Sequence, residues 1–328
     1  MFEMCLNIKI DKIKPFKANG FTIRKSVCDF CDTATIKIPA KTVLKSVRAN
    51  HYIHVEPLTQ KLLEGQPVII EAGYNNENKV RFKGFIRRIN YKTPLEIECE
   101  GYSYLLVSIK NYCKSYLTTT VRQLLADLVF GTPIKLSDEI PDIVLHKIVF
   151  KNFSGIDVLK YLKNKCLLTV YFNGEVLYAG LREMEIKKSV NLLLGWNVIK
   201  DNELKYSDNK ENANVKIVLQ KRELTGHYKK VEHGQKDGNI KVYKVNHLDE
   251  KSFPQLAGAL KSKLVNSGYE GKVTTFLEPL IEPGMSVIIN DNEYSDRKGT
   301  FFVESVETQF STSGGRQVIG VGSSLGTG

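Results

Sequence analysis

The chain is short of tryptophan, of methionine and of acid: among 328 residues there are 1 Trp and 4 Met, and 36 acidic side chains face 47 basic ones. A barrel that binds sugar or single-stranded nucleic acid needs a face of stacking rings, and Trp196 is the one tryptophan available to it. Long apolar runs are missing too. No stretch approaches the roughly 18 residues of a bilayer span, and Leu192-Leu193-Leu194 is cut short by Gly195, so no membrane insertion is expected. The start, Met1 to Asn7, carries Glu3 inside its one apolar stretch and no basic region ahead of it. That is not the pattern of a secretory signal, and the expectation is a protein made and assembled in a reducing cytoplasm.

Chemistry-bearing motifs are equally scarce. Of six cysteines only Cys28-Asp29-Phe30-Cys31 has metal or redox spacing. A structural zinc needs a second such pair, and a redox pair opens a helix beside a βαβ unit, whereas this run reads as strand. The expectation is reduced thiols in a sheet wall. His51 and His54 are closely spaced but lack a third ligand. No glycine-rich phosphate loop precedes a helix, and neither G-x-S-x-G nor H-E-x-x-H occurs. Gly314-Gly315 reads as a hairpin turn. No catalytic, cofactor-binding or metal residue is therefore nominated, and no cofactor is expected. Paired carboxylates for glycoside hydrolysis meet only in the fold, which leaves a hydrolase as an alternative.

What the chain does have is a pattern that occurs twice. Leu63-Glu64-Gly65-Gln66-Pro67-Val68-Ile69-Ile70 leads through a polar loop to Arg81-Phe82-Lys83-Gly84-Phe85-Ile86. Near the other end, Ile281-Glu282-Pro283-Gly284-Met285-Ser286-Val287-Ile288-Ile289 leads to Gly299-Thr300-Phe301-Phe302-Val303. Each copy is an apolar-Glu pair, a Gly/Pro turn, a Val-Ile-Ile strand and a Gly/Phe strand. Repetition of this kind marks a duplicated unit and predicts that Gly84 and Gly299 hold equivalent places. The net charge of +11 is spread along the chain, with mild density at Lys187-Lys188, Lys221-Arg222 and Lys229-Lys230. Such a field favours a passing polyanion without marking a dedicated nucleic-acid face.

Periodicity divides the chain into three. Ala34, Ile36 and Ile38 alternate with polar residues, as do Leu95, Ile97 and Cys99 with Glu96, Glu98 and Glu100; the three glutamates are expected on a solvated or partner-facing edge. After Leu105 the spacing turns helical. Thr119 or Thr120 caps a helix bearing Val121, Leu124, Leu125 and Leu128 that stops at Gly131, and Ser154 with Asp157 opens a second. Asn173-Gly174 predicts a type I′ hairpin. From Glu183 strands return. Asp237-Gly238 turns the chain, and Ser252 and Pro254 open a helix with Leu256, Leu260 and Leu264 on one face. In the last barrel strand Phe301 and Val303 share a face but Val306 and Phe310 fall on the other, a slip that predicts a β-bulge. The expected fold is α+β and mainly β. Two similar small β-barrels (1–105 and 183–328, the second with one inserted helix) flank an α+β domain at 106–182.

The run Ile281 to Val287, then Gly299 to Val306, Phe310-Ser311 and Ser313 to Arg316, resembles the last barrel of phage late control protein D, the baseplate hub of contractile tails. Leu63 to Val68 with Phe82 to Ile86 is similar to the first hub barrel. Trp196 to Leu204 resembles the segment entering the second barrel, and Gly268 to Lys272 the turn after its helix. The resemblance extends to the hub part of type VI secretion spike proteins. It implies a structural, non-enzymatic homotrimer whose six barrels form a ring between a threefold tail spike and a sixfold tail tube, with DNA passing through the channel. It places the protein in the virion tail of a phage or prophage, or in a contractile injection system, after assembly in the host cytoplasm. The chain ends soon after the second barrel, leaving no room for a fused spike or lysozyme domain. A carbohydrate- or nucleic-acid-binding barrel is the other alternative.

Overall fold

The computed structural model describes residues 3–16, 18–39, 42–47, 53–181, 188–201, 203–207, 214–222, 227–265, 268–292 and 298–326. The first part is all strand: β1 (Met4–Ile10), β2 (Ile13–Phe16), β3 (Gly20–Ser26), β4 (Thr33–Ile38), β5 (Val43–Val47), β6 (Ile53–Pro57), β7 (Pro67–Tyr74), β8 (Glu77–Asn90) and β9 (Leu95–Glu100). Alternation sends Ile8, Ile10, Ile23, Ile36, Ile38, Ile70 and Ile97 into one core, each fully buried or nearly so.

The middle part follows with α1 (Ser103–Val107), β10 (Tyr112–Thr120), α2 (Val121–Val129), β11 (Lys135–Leu136), β12 (Val144–Phe153), α3 (Gly155–Lys165), β13 (Thr169–Asn173) and β14 (Val176–Gly180). Thr120 caps α2 by accepting the Gln123 N–H at 3.1 Å. Ser154 and Asp157 close a full capping box on α3, as the sequence predicts. One expectation needs correction. In the β13–β14 hairpin Asn173 pairs with Val176, so the two-residue loop is Gly174-Glu175 and only Gly174 has a positive φ, of 59°. Glycine first in the loop is the type II′ arrangement, because the ladder keeps Asn173 as a strand residue.

The last part holds β15 (Ser189–Leu193), β16 (Val198–Lys200), β17 (Lys205–Ser207), β18 (Val215–Arg222), β19 (Tyr228–Gly234), β20 (Asn239–Lys244), α3's successor α4 (Phe253–Val265), β21 (Gly268–Thr275), β22 (Ser286–Asn290), β23 (Gly299–Ser311) and β24 (Gly314–Gly326). Asp237-Gly238 turns the chain, yet β19 and β20 do not pair. They lie on opposite edges of β18, one antiparallel and one parallel to it. Val215, Ile217 and Leu219 of β18, with Phe253, Leu256 and Ala257 of α4, pack into the core of the middle part. The segment expected to belong to the second barrel thus seats on the middle unit, because its apolar faces find Val158, Leu159 and Leu162 there.

The fold is mainly β, but no closed barrel forms among the described residues. Fourteen strands make one continuous sheet in the order β16-β21-β24-β23-β3-β4-β9-β8-β7-β1-β2, with β15, β17 and β22 on side branches. The reason lies in β23. Its first residues pair with β22, and six later ones, Ser305–Phe310, pair with β3 of the other lobe. Two lobes therefore share one ladder instead of each closing on itself.

The repeat is real in register. Val68 pairs with Gly84, and Val287 with Phe301. Gly65 donates to the Ile86 carbonyl and Ile86 donates back to Gln66; Gly284 and Val303 do the same with Met285. Gly65 and Gly284 adopt φ of 85° and 89°, the left-handed turn that favours glycine. Even the side chains agree: Gln66 Oε1 accepts the Leu63 N–H, and Met285 Sδ accepts the Glu282 N–H. The predicted bulge is present in β23, where the register shifts between Val303 and Ser305, and β8 shifts at the matching place between Ile86 and Arg88. Gly84 and Gly299 are not equivalent, however. Gly84 stands where the second copy has Phe301, and Gly299 where the first has Phe82. In each hairpin the phenylalanine ring lies over the glycine two residues away, so the pair has swapped order while filling the same space. The copies also differ at one edge, since β1 pairs β7 antiparallel while β15 pairs β22 in parallel.

Candidate functional site

The feature the fold isolates is the joint between the lobes. Six residue pairs of β3 and β23 form its ladder, from Ser26–Ser305 to Phe21–Phe310. Phe21 and Phe310 stack at its end with centroids 5.5 Å apart, and Arg24 Nε meets Glu307 at 2.8 Å on its exposed side. A less exposed pair, Lys25 and Glu282, joins the two lobes at 3.0 Å.

Beside the ladder, the segment Phe276–Glu282 leaves β21 and reaches across the joint. Leu277 is fully buried and packs in the core of the first lobe. Its N–H donates to the Tyr74 hydroxyl at 3.3 Å. Glu278 meets Lys79 and, at 2.6 Å, Arg81, whose side chain is buried and whose Nε donates to the Ala72 carbonyl. The segment is held from below by Gln317, itself fully buried. Gln317 Nε2 donates to the carbonyls of Phe276, Leu277 and Pro279 at 2.9, 3.0 and 2.8 Å, and its Oε1 accepts the Ile281 N–H. A single buried amide thus satisfies a run of backbone that has no ladder of its own.

Asp32 lies near this cluster. Burial pushes its carboxyl up to about 7, against the pull of Lys25, with Glu282 adding to the rise. An unfolded aspartate titrates near 4, so between about pH 4 and 7 the folded chain keeps a proton that the unfolded chain has lost. Stability from this group therefore falls as pH rises through that window. The Asp32→Asn variant is expected to gain stability relative to the parent between pH 5 and pH 8, read by urea unfolding at both. An equal difference at the two pH values would contradict this.

The residues singled out in sequence fall elsewhere. Cys28 and Cys31 sit in the turn between β3 and β4, not in a strand, and both are free thiols; burial raises the Cys31 thiol. Lys163 reaches the Cys28 carbonyl. His51 and Lys187 lie outside the described residues. His54 is in β6. Among the described residues no three His, Cys, Asp or Glu side chains gather as a ligand set, and no helix is long and apolar enough to cross a membrane. The glutamate strand is not a solvated face. Glu100 is buried, accepting from Ser103 at 2.8 Å and meeting Arg87. Asn90 donates to Glu98 at 2.6 Å, and Lys92 pairs with Glu96 at 2.8 Å. Neighbouring segments supply partners to the row because β9 is an interior strand between β4 and β8. The Gly314-Gly315 turn is displaced as well: Ser311 pairs with Gly314, which puts Thr312 and Ser313 in the loop.

Comparison with solved structures places this two-lobed sheet. A tail protein of Neisseria meningitidis superposes with a TM-score of 0.71, at 12% identity, over 98% of this chain and 96% of its own. The chain has the fold of phage tail proteins. The 43 kDa tail protein of a Shewanella oneidensis prophage gives 0.64 at 13% identity, with coverage of 97% and 98%. An Escherichia coli component of the type VI secretion system gives 0.58 at 11%, over 96% of this chain and 76% of that one. No family model matches the sequence, and no curated protein does. The tail-protein fold therefore survives here with little sequence to mark it. Gln317, Leu277 and Glu278 carry no mark in the sequence, since a lone amide in a strand gives no periodic signal.

Proposed function

We propose that this protein is a structural baseplate hub protein of a contractile phage tail, or of a related prophage or injection system, of the late control protein D kind. Three copies close into a ring of six like lobes, which matches a threefold spike on one side to a sixfold tube on the other. The observation that supports this reading is the internal repeat: two lobes of matching register in one chain turn threefold symmetry into six similar faces. The tail-protein fold agrees with it.

In this reading residues 1–105 and the remainder of 183–328 supply the two hub lobes, while β18 and α4 join residues 106–182 in the middle domain. Tail spike and tail tube proteins are the partners. Part of the +11 surplus lies toward the channel, where DNA passes on ejection, and the protein resides in the virion baseplate after assembly in the host cytoplasm. Its work is positional and not enzymatic. Cryo-EM of the assembled protein is expected to show three chains about a threefold axis with pseudo-sixfold lobes. A stable dimer with twofold symmetry would overturn the hub assignment.

A further inference from the structure

The joint between the lobes is used once within the chain, and the repeat predicts where it is used again. The partners of β23 in the joint are Ser26, Lys25 and Arg24, opposite Ser305, Val306 and Glu307. In the first lobe the counterparts of Ser305, Val306 and Glu307 are Arg88, Ile89 and Asn90. They follow the same bulge, and they pair with Glu98, Ile97 and Glu96 as the others do with Gly320, Ile319 and Val318. No strand pairs with the other edge of Arg88–Asn90 among the described residues.

The second lobe has the matching half. There β21 takes the place of β4: Gly271 faces Val321 as Ala34 faces Cys99. The strand beside β4 is β3, with Gly20 opposite Lys37 and Arg24 opposite Thr33. Beside β21 the same positions are filled by Lys200 opposite Thr274 and Lys205 opposite Glu270. So β16 and β17 together are β3, interrupted by one extra residue. The outer edge of β17, where β3 binds β23, also carries no strand among the described residues.

We propose that these two edges bind each other between copies of the chain: Arg88, Ile89 and Asn90 of one copy form an antiparallel ladder with Ser207, Tyr206 and Lys205 of the next. The occupant is a second copy because the chain already carries both halves of this contact and joins their counterparts within itself. Each copy offers one edge of each kind, so the contact is heterologous and propagates head to tail until it closes. Neither edge is laddered to a strand among the described residues, and backbone N–H and C=O groups on such edges supply the attraction; the Asn90 carbonyl, which accepts the Lys92 N–H at 2.9 Å, has a second lone pair for it. Tyr91, 70% exposed, lies next along the chain from the ladder and adds an apolar contact there. This deepens the ring reading and rests on it for the number of copies.

The test uses the full chain carrying Asn90→Cys and Lys205→Cys. Residues opposed across an antiparallel ladder have Cα atoms about 4.5–5.5 Å apart, within disulfide reach. Mild oxidation is expected to give chain-to-chain disulfides that accumulate up to the trimer, while each single variant stays at the parent level set by the native thiols. Arg88→Cys with Ser207→Cys is a second matched pair in case the first disturbs folding, and Glu77→Cys with Lys205→Cys is the mismatched control. Trimer in the parent by a lysine-reactive cross-linker, with no disulfide above controls in either matched pair, overturns this joint and leaves the ring. Monomer by both methods overturns the joint and the ring together.

Discussion

Replacing Gln317 by leucine is expected to lower the unfolding free energy by about 4 kcal/mol, the largest loss from any single change at the joint. The substitution keeps bulk but removes a fully buried amide that serves three carbonyls and one N–H. Each buried polar group left without a partner costs about 1–3 kcal/mol, and the carbonyls recover part of this by drawing in water. The effect reaches across the joint, because the freed segment carries Leu277 into the first core and Glu278 to buried Arg81. Urea unfolding of the parent and variant measures it. A loss below about 1 kcal/mol, the range of an ordinary surface change, would show that the segment holds itself in place.

The second large effect is at Gly84, where valine is expected to cost about 3 kcal/mol. A Cβ there comes within 2.2 Å of the Glu100 carbonyl oxygen and 2.7 Å of the Phe82 ring. The carbonyl belongs to the β8–β9 ladder and cannot turn aside, so the strands must separate. Gly299→Val is expected to cost less, about 1 kcal/mol, since a Cβ there meets only the Phe301 ring at 2.9 Å among close neighbours. Equal losses at the two sites would mean that the swapped Phe–Gly order has no energetic consequence.

Much of this architecture could be read from local pattern. Caps at Thr120 and Ser154, the repeat and the bulge in β23 are all written in short spans whose spacing matches a helical or strand period. The errors came where tertiary pairing overrides local pattern. Glu96, Glu98 and Glu100 alternate as an exposed face would, but Lys92 and Arg87 pair with Glu96 and Glu100, and Asn90 and Ser103 donate hydrogen bonds to Glu98 and Glu100. Asn173-Gly174 has the composition of one turn, and the register of β13 against β14 imposes another. Short strands parted by turn residues, with the family resemblance, suggest closed barrels, while the actual ladder depends on which edge β23 selects. The joint residues were invisible for the same reason: Leu277 and Tyr74 are 203 positions apart, and nothing near either one announces the other.

That separation has a consequence for synthesis on the ribosome. Arg24 and Glu307, which meet at the joint, lie 283 positions apart. At about 5–20 residues per second, the nascent first lobe waits roughly 15–60 s with the edge of β3 open before its partner strand emerges. During that interval neighbouring chains on the same message present the same open edge, and premature pairing would trap misassembled chains. Lys25 and Arg24 on that edge repel their own kind at close range, so the two cations that later hold Glu282 and Glu307 also guard the strand until those glutamates are made.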